Sequence, residues 1–235
     1  MTRRIRCVTT TRAGGASVAP FDSFNLGDHV GDDPAAVAAN RARLAATIGL
    51  GPDGIVWMNQ VHGDRVVAVD GPVEGAVDDA DGLVTTRPGL ALAVVTADCV
   101  PVLASDPRAG VVAAVHAGRA GAKAGVVARA VEAMLSRGAH VEDISVLLGP
   151  AVSGRNYEVP DDMAVDVEAA LPGSRTATAR GTAGLDLRAG LARQLAGLGV
   201  TKVAVDPRCT VADPNLFSHR RGAPTGRLAS LVWME

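Results

Sequence analysis

The sequence predicts a mixed α/β fold. Three observations point there: nearly continuous apolar runs at residues 90–95, 100–104 and 111–115, segments with apolar stripes at helical spacing, and an irregular alternation of the two with hairpin-like pairs. Unbroken apolar runs suit strands buried on both faces, and the irregular order argues against a regular doubly wound sheet. Gly and Pro are spread along the chain with no low-complexity segment, so residues 1–235 are expected to form one domain with many tight connections.

Each element has a local reason. Residues 4–9 alternate as a strand and end ahead of Gly14-Gly15. Asp33-Pro34 reads as a helix start, Asp33 capping and Pro34 in the first turn, with Val37, Leu44, Ala45 and Ile48 on one face and Gly49 as the stop. Strands are expected at 55–58 and 65–69, and the acidic segment 70–80 reads as a loop. After the three apolar runs, Gly118 and Gly121 lead into a helix over 122–136 carrying Val126, Val127, Ala130, Val131, Met134 and Leu135. A strand follows at 144–148, then helices at 161–171 and 186–198, the second with Leu187, Leu191, Leu195 and Leu198 on one side. Strands at 203–205 and 228–233 complete the chain.

Bulk properties narrow the function. A net charge of -2 gives no electrostatic footprint for nucleic acid or an anionic membrane. No apolar run reaches membrane-span length, and the basic start at residues 1–6 is followed by no cleavable apolar segment, so a soluble cytoplasmic protein is expected. Three cysteines far apart, Cys7, Cys99 and Cys209, fit reduced thiols better than a disulfide framework. Compact size and balanced charge suit a monomer.

Three residues carry the chemistry: His62 in Gln60-Val61-His62-Gly63, Cys99 in Ala97-Asp98-Cys99-Val100-Pro101, and His116 in Val115-His116-Ala117-Gly118. Each lies where an apolar stretch meets a glycine or proline, and strand ends hold reactive side chains still while the turn opens them to ligand. One thiol and two imidazoles gathered at a point make either a three-ligand zinc site with an open position or a Cys-His hydrolytic pair. Asp98, an acid beside a buried strand, is a candidate to orient a ligating histidine or to carry a proton. Phe217-Ser218-His219-Arg220-Arg221 is either a solvated basic turn or an anion clamp, since arginine forks suit phosphate oxygens. Gly118-Arg119-Ala120-Gly121 lacks the dinucleotide-binding glycine pattern and reads as tight packing between strand and helix. A multicopper cluster fails on arithmetic: the chain has five histidines and no His-x-His pair.

Taken together, Thr11-Arg12-Ala13-Gly14-Gly15, Asn25-Leu26-Gly27, Asn59-Gln60-Val61-His62-Gly63, Ala80-Asp81-Gly82, Thr96-Ala97-Asp98-Cys99-Val100-Pro101, His116-Ala117-Gly118, Leu148-Gly149-Pro150, Tyr157-Glu158-Val159 and Phe217-Ser218-His219-Arg220-Arg221 resemble the YfiH/YlmD family, formerly called the polyphenol oxidase or multicopper laccase-domain family. The resemblance spans nearly the whole chain. It implies two mixed sheets layered between helices. It implies zinc, or copper in its place, on His62, Cys99 and His116, with these three and Asp98 as catalytic residues. It also implies purine nucleosides and phosphate as substrates: phosphorolysis of adenosine, inosine, guanosine and methylthioadenosine, together with adenosine deamination. Some members are linked to editing of peptidoglycan precursors, which would suit Cys99 as a nucleophile on an amide. Arg12, Asn25, Arg119, Arg220 and Arg221 are the substrate-binding candidates. The chain departs from the family where Arg119-Ala120 stands in place of the usual Trp-Arg.

Overall fold

The structure, a computed structural model, describes residues 2–235. In chain order the elements are β1 (Ile5–Thr9), α1 (Pro34–Thr47), β2 (Ile55–Met58), β3 (Val66–Ala68), β4 (Ala76–Val77), β5 (Gly82–Thr85), β6 (Ala91–Thr96), β7 (Val100–Asp106) and β8 (Val111–Ala117). They continue with α2 (Arg119–Ala124), α3 (Val126–Leu135), β9 (Ser145–Leu148), α4 (Asp161–Ala170), β10 (Arg175–Ala177), β11 (Ala183–Leu185), α5 (Leu187–Gly197), β12 (Lys202–Val205) and β13 (Leu228–Met234). One sheet has five strands in the order β1-β13-β6-β2-β4, another has six in the order β12-β9-β7-β8-β5-β3, and β10 and β11 form a separate hairpin. Both large sheets mix parallel and antiparallel pairs, as in the expected mixed α/β class.

Alternation along the apolar runs explains the layering. In β6, Leu92 and Val94 join Leu103, Val112, Ala114, Val232 and Met234 in the layer between the sheets. Their neighbours Ala91, Ala93 and Val95 face the other way, onto Leu44 and Ala45 of α1 and Trp233. In β7 and β8, Val102, Ala104, Val111, Ala113 and Val115 pack with α3, α4 and α5 through Val127, Val131, Met134, Val167, Leu191 and Leu195. Both faces of each central strand are therefore apolar, which is why the sequence reads as continuous runs rather than as alternating polarity. Among the described residues no helix is long and apolar enough to cross a membrane.

Five local expectations are corrected. The helix expected at 122–136 begins at Arg119 and breaks at Gly125, whose φ of +90° ends α2 and starts α3. The segment read as a loop at 70–80 contains β4, paired in parallel with β2. Residues 82–85 were assigned to no element and form β5, wholly buried between β3 and β8. The β10–β11 hairpin is likewise new. Leu135 and Leu198, placed on apolar stripes, lie outside the core at 42% and 38% exposure.

One buried acid ties the helical layer to β7. Asp106 is wholly buried and accepts from the backbone N–H groups of Arg108, Ala109 and His140, each at 2.9 Å. Burial alone would raise its carboxyl, but these three donors prevail and hold it below the usual range. A group more acidic in the folded chain than in the unfolded one contributes stability at pH values above its unfolded value. That contribution is lost as pH falls through the folded value. Asp106→Ala is expected to cost about 3 kcal/mol at neutral pH, and Asp106→Asn to flatten the acid limb of the stability profile; urea midpoints measured from pH 3 to pH 7 check both.

Candidate metal and anion site

The site lies where the chain crosses from one sheet to the other. β6 ends in the five-stranded sheet at Thr96, β7 begins in the six-stranded sheet at Val100, and Ala97-Asp98-Cys99 spans the gap. Asp98 makes this crossing with φ +97°, a left-handed conformation rare outside glycine, and His62 beyond β2 has φ +62°. Strained backbone of this kind persists only where its surroundings over-determine it.

His62, Cys99 and His116, distant in sequence, converge: one donor atom from each lies within 4.8 Å of the other two. Cys99 Sγ is 3.8 Å from His62 Nε2. The two rings meet edge to face, with centroids 4.7 Å apart. A tetrahedral ion about 2.0–2.3 Å from each donor would space nitrogen and sulfur ligands roughly 3.3–3.6 Å apart, so the donor set fits such an ion with little adjustment. Soft thiolate with two imidazoles is a zinc or copper donor set. Gly118 makes the cluster possible: a Cβ there would lie 2.6 Å from His62 Cδ2 and 3.2 Å from Cys99 Sγ. Tight packing is thus the use of the glycine ending His116-Ala117-Gly118.

Asp81 organises both histidines. Its fully buried carboxylate pairs with His116 Nδ1 at 2.7 Å and accepts from the backbone N–H groups of His62 at 3.0 Å, Gly63 at 2.7 Å and Val61 at 3.2 Å. Its carbonyl accepts from His116 N at 2.7 Å. With Nδ1 engaged, Nε2 is the His116 nitrogen free for the cluster.

The orienting acid is therefore Asp81, and Asp98 has a different place. The Asp98 carboxylate accepts from Thr210 Oγ1 and Ser218 Oγ, both at 2.6 Å, and from Arg220 N at 2.7 Å, and so ties the sheet crossing to the segment that follows β12.

These contacts set the ionisation of the metal-free cluster. Burial would raise the Cys99 thiol, but hydrogen bonds from His116 and His62 bring it down to about 6. Burial would lower His116, but Asp81 and Cys99 push it up to about 9. The contacts thus favour thiolate on Cys99 and imidazolium on His116.

The cluster opens into a cavity of 340 Å³ lined by residues that include Gln60, Thr96, Asp98, Tyr157, Arg119, His219, Arg220 and Arg227. Of the substrate-binding candidates, Arg119 and Arg220 line it. The other three are placed elsewhere. Arg12 pairs with Asp22 at 3.0 Å and stacks on Phe217. Arg221 donates to the carbonyls of Thr210, Asp213 and Leu216. Asn25 is fully buried, donating to Gly27 O and Asp32 and accepting from Gly27 N and Arg227 N. Arg227 and Thr96 are cavity residues that the sequence reading missed.

In metal-free protein, alkylation of Cys99 is expected to follow a midpoint near pH 6, against about 8.5 for an unperturbed thiol. The rate difference between the wild type and Cys99→Ser, measured with iodoacetamide from pH 4.5 to pH 9, checks this.

Comparison with known proteins agrees with this architecture. Residues 6–235 match the family described as multi-copper polyphenol oxidoreductase laccase. A purine nucleoside phosphorylase of Mycobacterium tuberculosis is 76% identical over 232 residues, covering 99% of this chain and 93% of its own. Another from Corynebacterium glutamicum is 58% identical over 234 residues, covering 99% and 95%. The crystal structure of YlmD from Geobacillus stearothermophilus aligns with a TM-score of 0.92 at 34% identity, covering 98% of this chain and 92% of its own. That of the hypothetical protein YfiH from Bacillus licheniformis gives 0.89 at 32% identity, covering 98% and 93%. The chain belongs to the multi-copper polyphenol oxidoreductase laccase family, that of YfiH and YlmD.

Proposed function

We propose that the protein is a purine nucleoside phosphorylase that holds zinc on His62, Cys99 and His116 and also deaminates adenosine. The observation that carries this reading is a thiol-and-imidazole donor set opening into a cavity with three arginines on its wall. The names of the relatives from Mycobacterium tuberculosis and Corynebacterium glutamicum support the reaction class.

Phosphorolysis joins a phosphate oxygen to the anomeric carbon of ribose as the bond to the purine nitrogen breaks. The departing base takes a proton, and ribose 1-phosphate and free purine leave. The protein must hold a flat base, hold an anion and bring the two into line. Val95, Ala97, Val152, Leu187 and the ring of Tyr157 supply apolar area for the base. Arg220 lies 4.7 Å over that ring and donates to Glu158 O, which fixes its charge at the cavity wall. Arg119, at the first turn of α2, brings a second guanidinium. Zinc, when bound, supplies a Lewis acid with an open position and an acidified water. Asp81 keeps His116 turned toward the cluster. Deamination replaces the amine of adenosine with oxygen from water and releases ammonia; it needs the same walls around the same ring.

One observation favours a second reading. Cys99, His116 and Asp81 also make the nucleophile, base and orienting acid of a cysteine hydrolase, such as one cleaving an amide in a peptidoglycan precursor.

The two readings separate cleanly. Under the first, Cys99→Ala loses bound zinc and its turnover falls by more than roughly 100-fold. Chelation abolishes activity, zinc restores it, and hypoxanthine appears from inosine only when phosphate is present. Under the second, alkylation of Cys99 during turnover abolishes activity while chelators leave it intact. Metal analysis with chromatography of the products decides between them.

A further inference from the structure

Arg227 is the guanidinium whose setting nothing above explains. It immediately precedes β13, is half-buried, and lines the cavity. Among the described residues no carboxylate lies within salt-bridge reach of it; its Nη1 donates only to the carbonyls of Thr225 and Gly226 in its own turn. The charges that act on it across the cavity are those of Cys99 and Asp98. The Asn25-Leu26-Gly27 segment is shaped around this one residue. Asn25 Oδ1 accepts from Arg227 N at 2.8 Å, and Leu26 N donates to Arg227 O at 3.1 Å. A Cβ on Gly27 would lie 2.6 Å from Arg227 Cγ. Three consecutive residues thus position one arginine with no carboxylate in contact, and a cation partly removed from water is costly unless an anion completes it.

We propose that Arg227 is the phosphate-binding residue of the cavity, and that Asn25, Leu26 and Gly27 position it there. The proposal rests on the phosphorylase reading for the identity of the anion. Arg220, stacked on Tyr157 and bonded to Glu158 O, then serves the base side of the cavity.

The test is steady-state inosine phosphorolysis by the zinc-loaded protein, varying phosphate and inosine separately. Arg227→Gln should raise the phosphate KM by roughly 10- to 100-fold and leave the inosine KM within about twofold. Gly27→Ala should raise the phosphate KM while retaining the arginine, because only the position of the guanidinium changes. Zinc content should equal that of the wild type in both. An unchanged phosphate KM in folded, zinc-loaded Arg227→Gln overturns the proposal, as does a rise confined to Arg119→Gln. If the wild type makes no free base from inosine and phosphate, the phosphorylase reading has failed by itself. Calorimetric binding of inorganic phosphate to wild type and Arg227→Gln then still decides: loss in the variant supports the subsite, and equal binding or none to either overturns it.

Discussion

A single buried carboxylate holds the site together. Asp81 sits between β4 and β5 with no exposed surface, and it meets both histidines by different means. It fixes His116 through the ring and through the backbone N–H, and it fixes His62 only through the backbone of the loop that carries it. Taking a carboxylate out of water costs several kcal/mol. Here three backbone donors and an imidazole offset that cost, and Asp81 is held below the usual carboxyl range despite its burial. The return is geometric. Residues from β8 and from the loop after β2 belong to different sheets, and one anion sets the distance between their side chains.

Cys99 is brought in by a different constraint. The chain must leave one sheet at Thr96 and enter the other at Val100, and a link that short requires a sharp turn. Asp98 takes the left-handed conformation, and its carboxylate is then bound on three sides by Thr210, Ser218 and the Arg220 backbone. That arrangement fixes the turn and at the same time draws the segment after β12 over the cavity, so that His219 and Arg220 line it. The side chain that looks like a candidate acid is therefore a clasp. Thiol position and cavity wall follow from the same three hydrogen bonds.

This division explains what the sequence made legible. The central strands were readable because burial on both faces leaves no polar residue to interrupt them. β5 was not, because Gly82-Leu83-Val84-Thr85 is too short to show a period and follows an acidic stretch that resembles a loop. The break at Gly125 was hidden because the apolar stripe continues across it into α3. At the site, His62, Cys99 and His116 stood out because each ends an apolar run. Asp81 stands there only within Ala80-Asp81-Gly82 and with no role, since an acid next to glycine ordinarily reads as a turn and its ring partner is distant in the chain. Arg12, Asn25 and Arg221 were chosen as polar residues in short motifs. Each bonds backbone or side-chain groups of its own chain, a use that leaves the same trace in a sequence as ligand binding does. Arg227 had no motif of its own, and the segment that positions it lies near the opposite end of the chain.

The electrostatics of the cluster suit a cation as well as a proton. Without metal, the thiol is driven to ionise by two imidazoles, and His116 is driven to keep its proton by Asp81 and the thiolate. A thiolate beside an imidazolium is also the working form of a cysteine nucleophile, so this ionisation serves either chemistry. His62, Cys99 and His116 would hold a divalent ion in place of the proton on Nε2, with a thiolate already favoured. Asp81 behind the His116 ring would strengthen that ligand. Arg119, Arg220 and Arg227 place positive charge on the wall of the cavity into which this cluster opens.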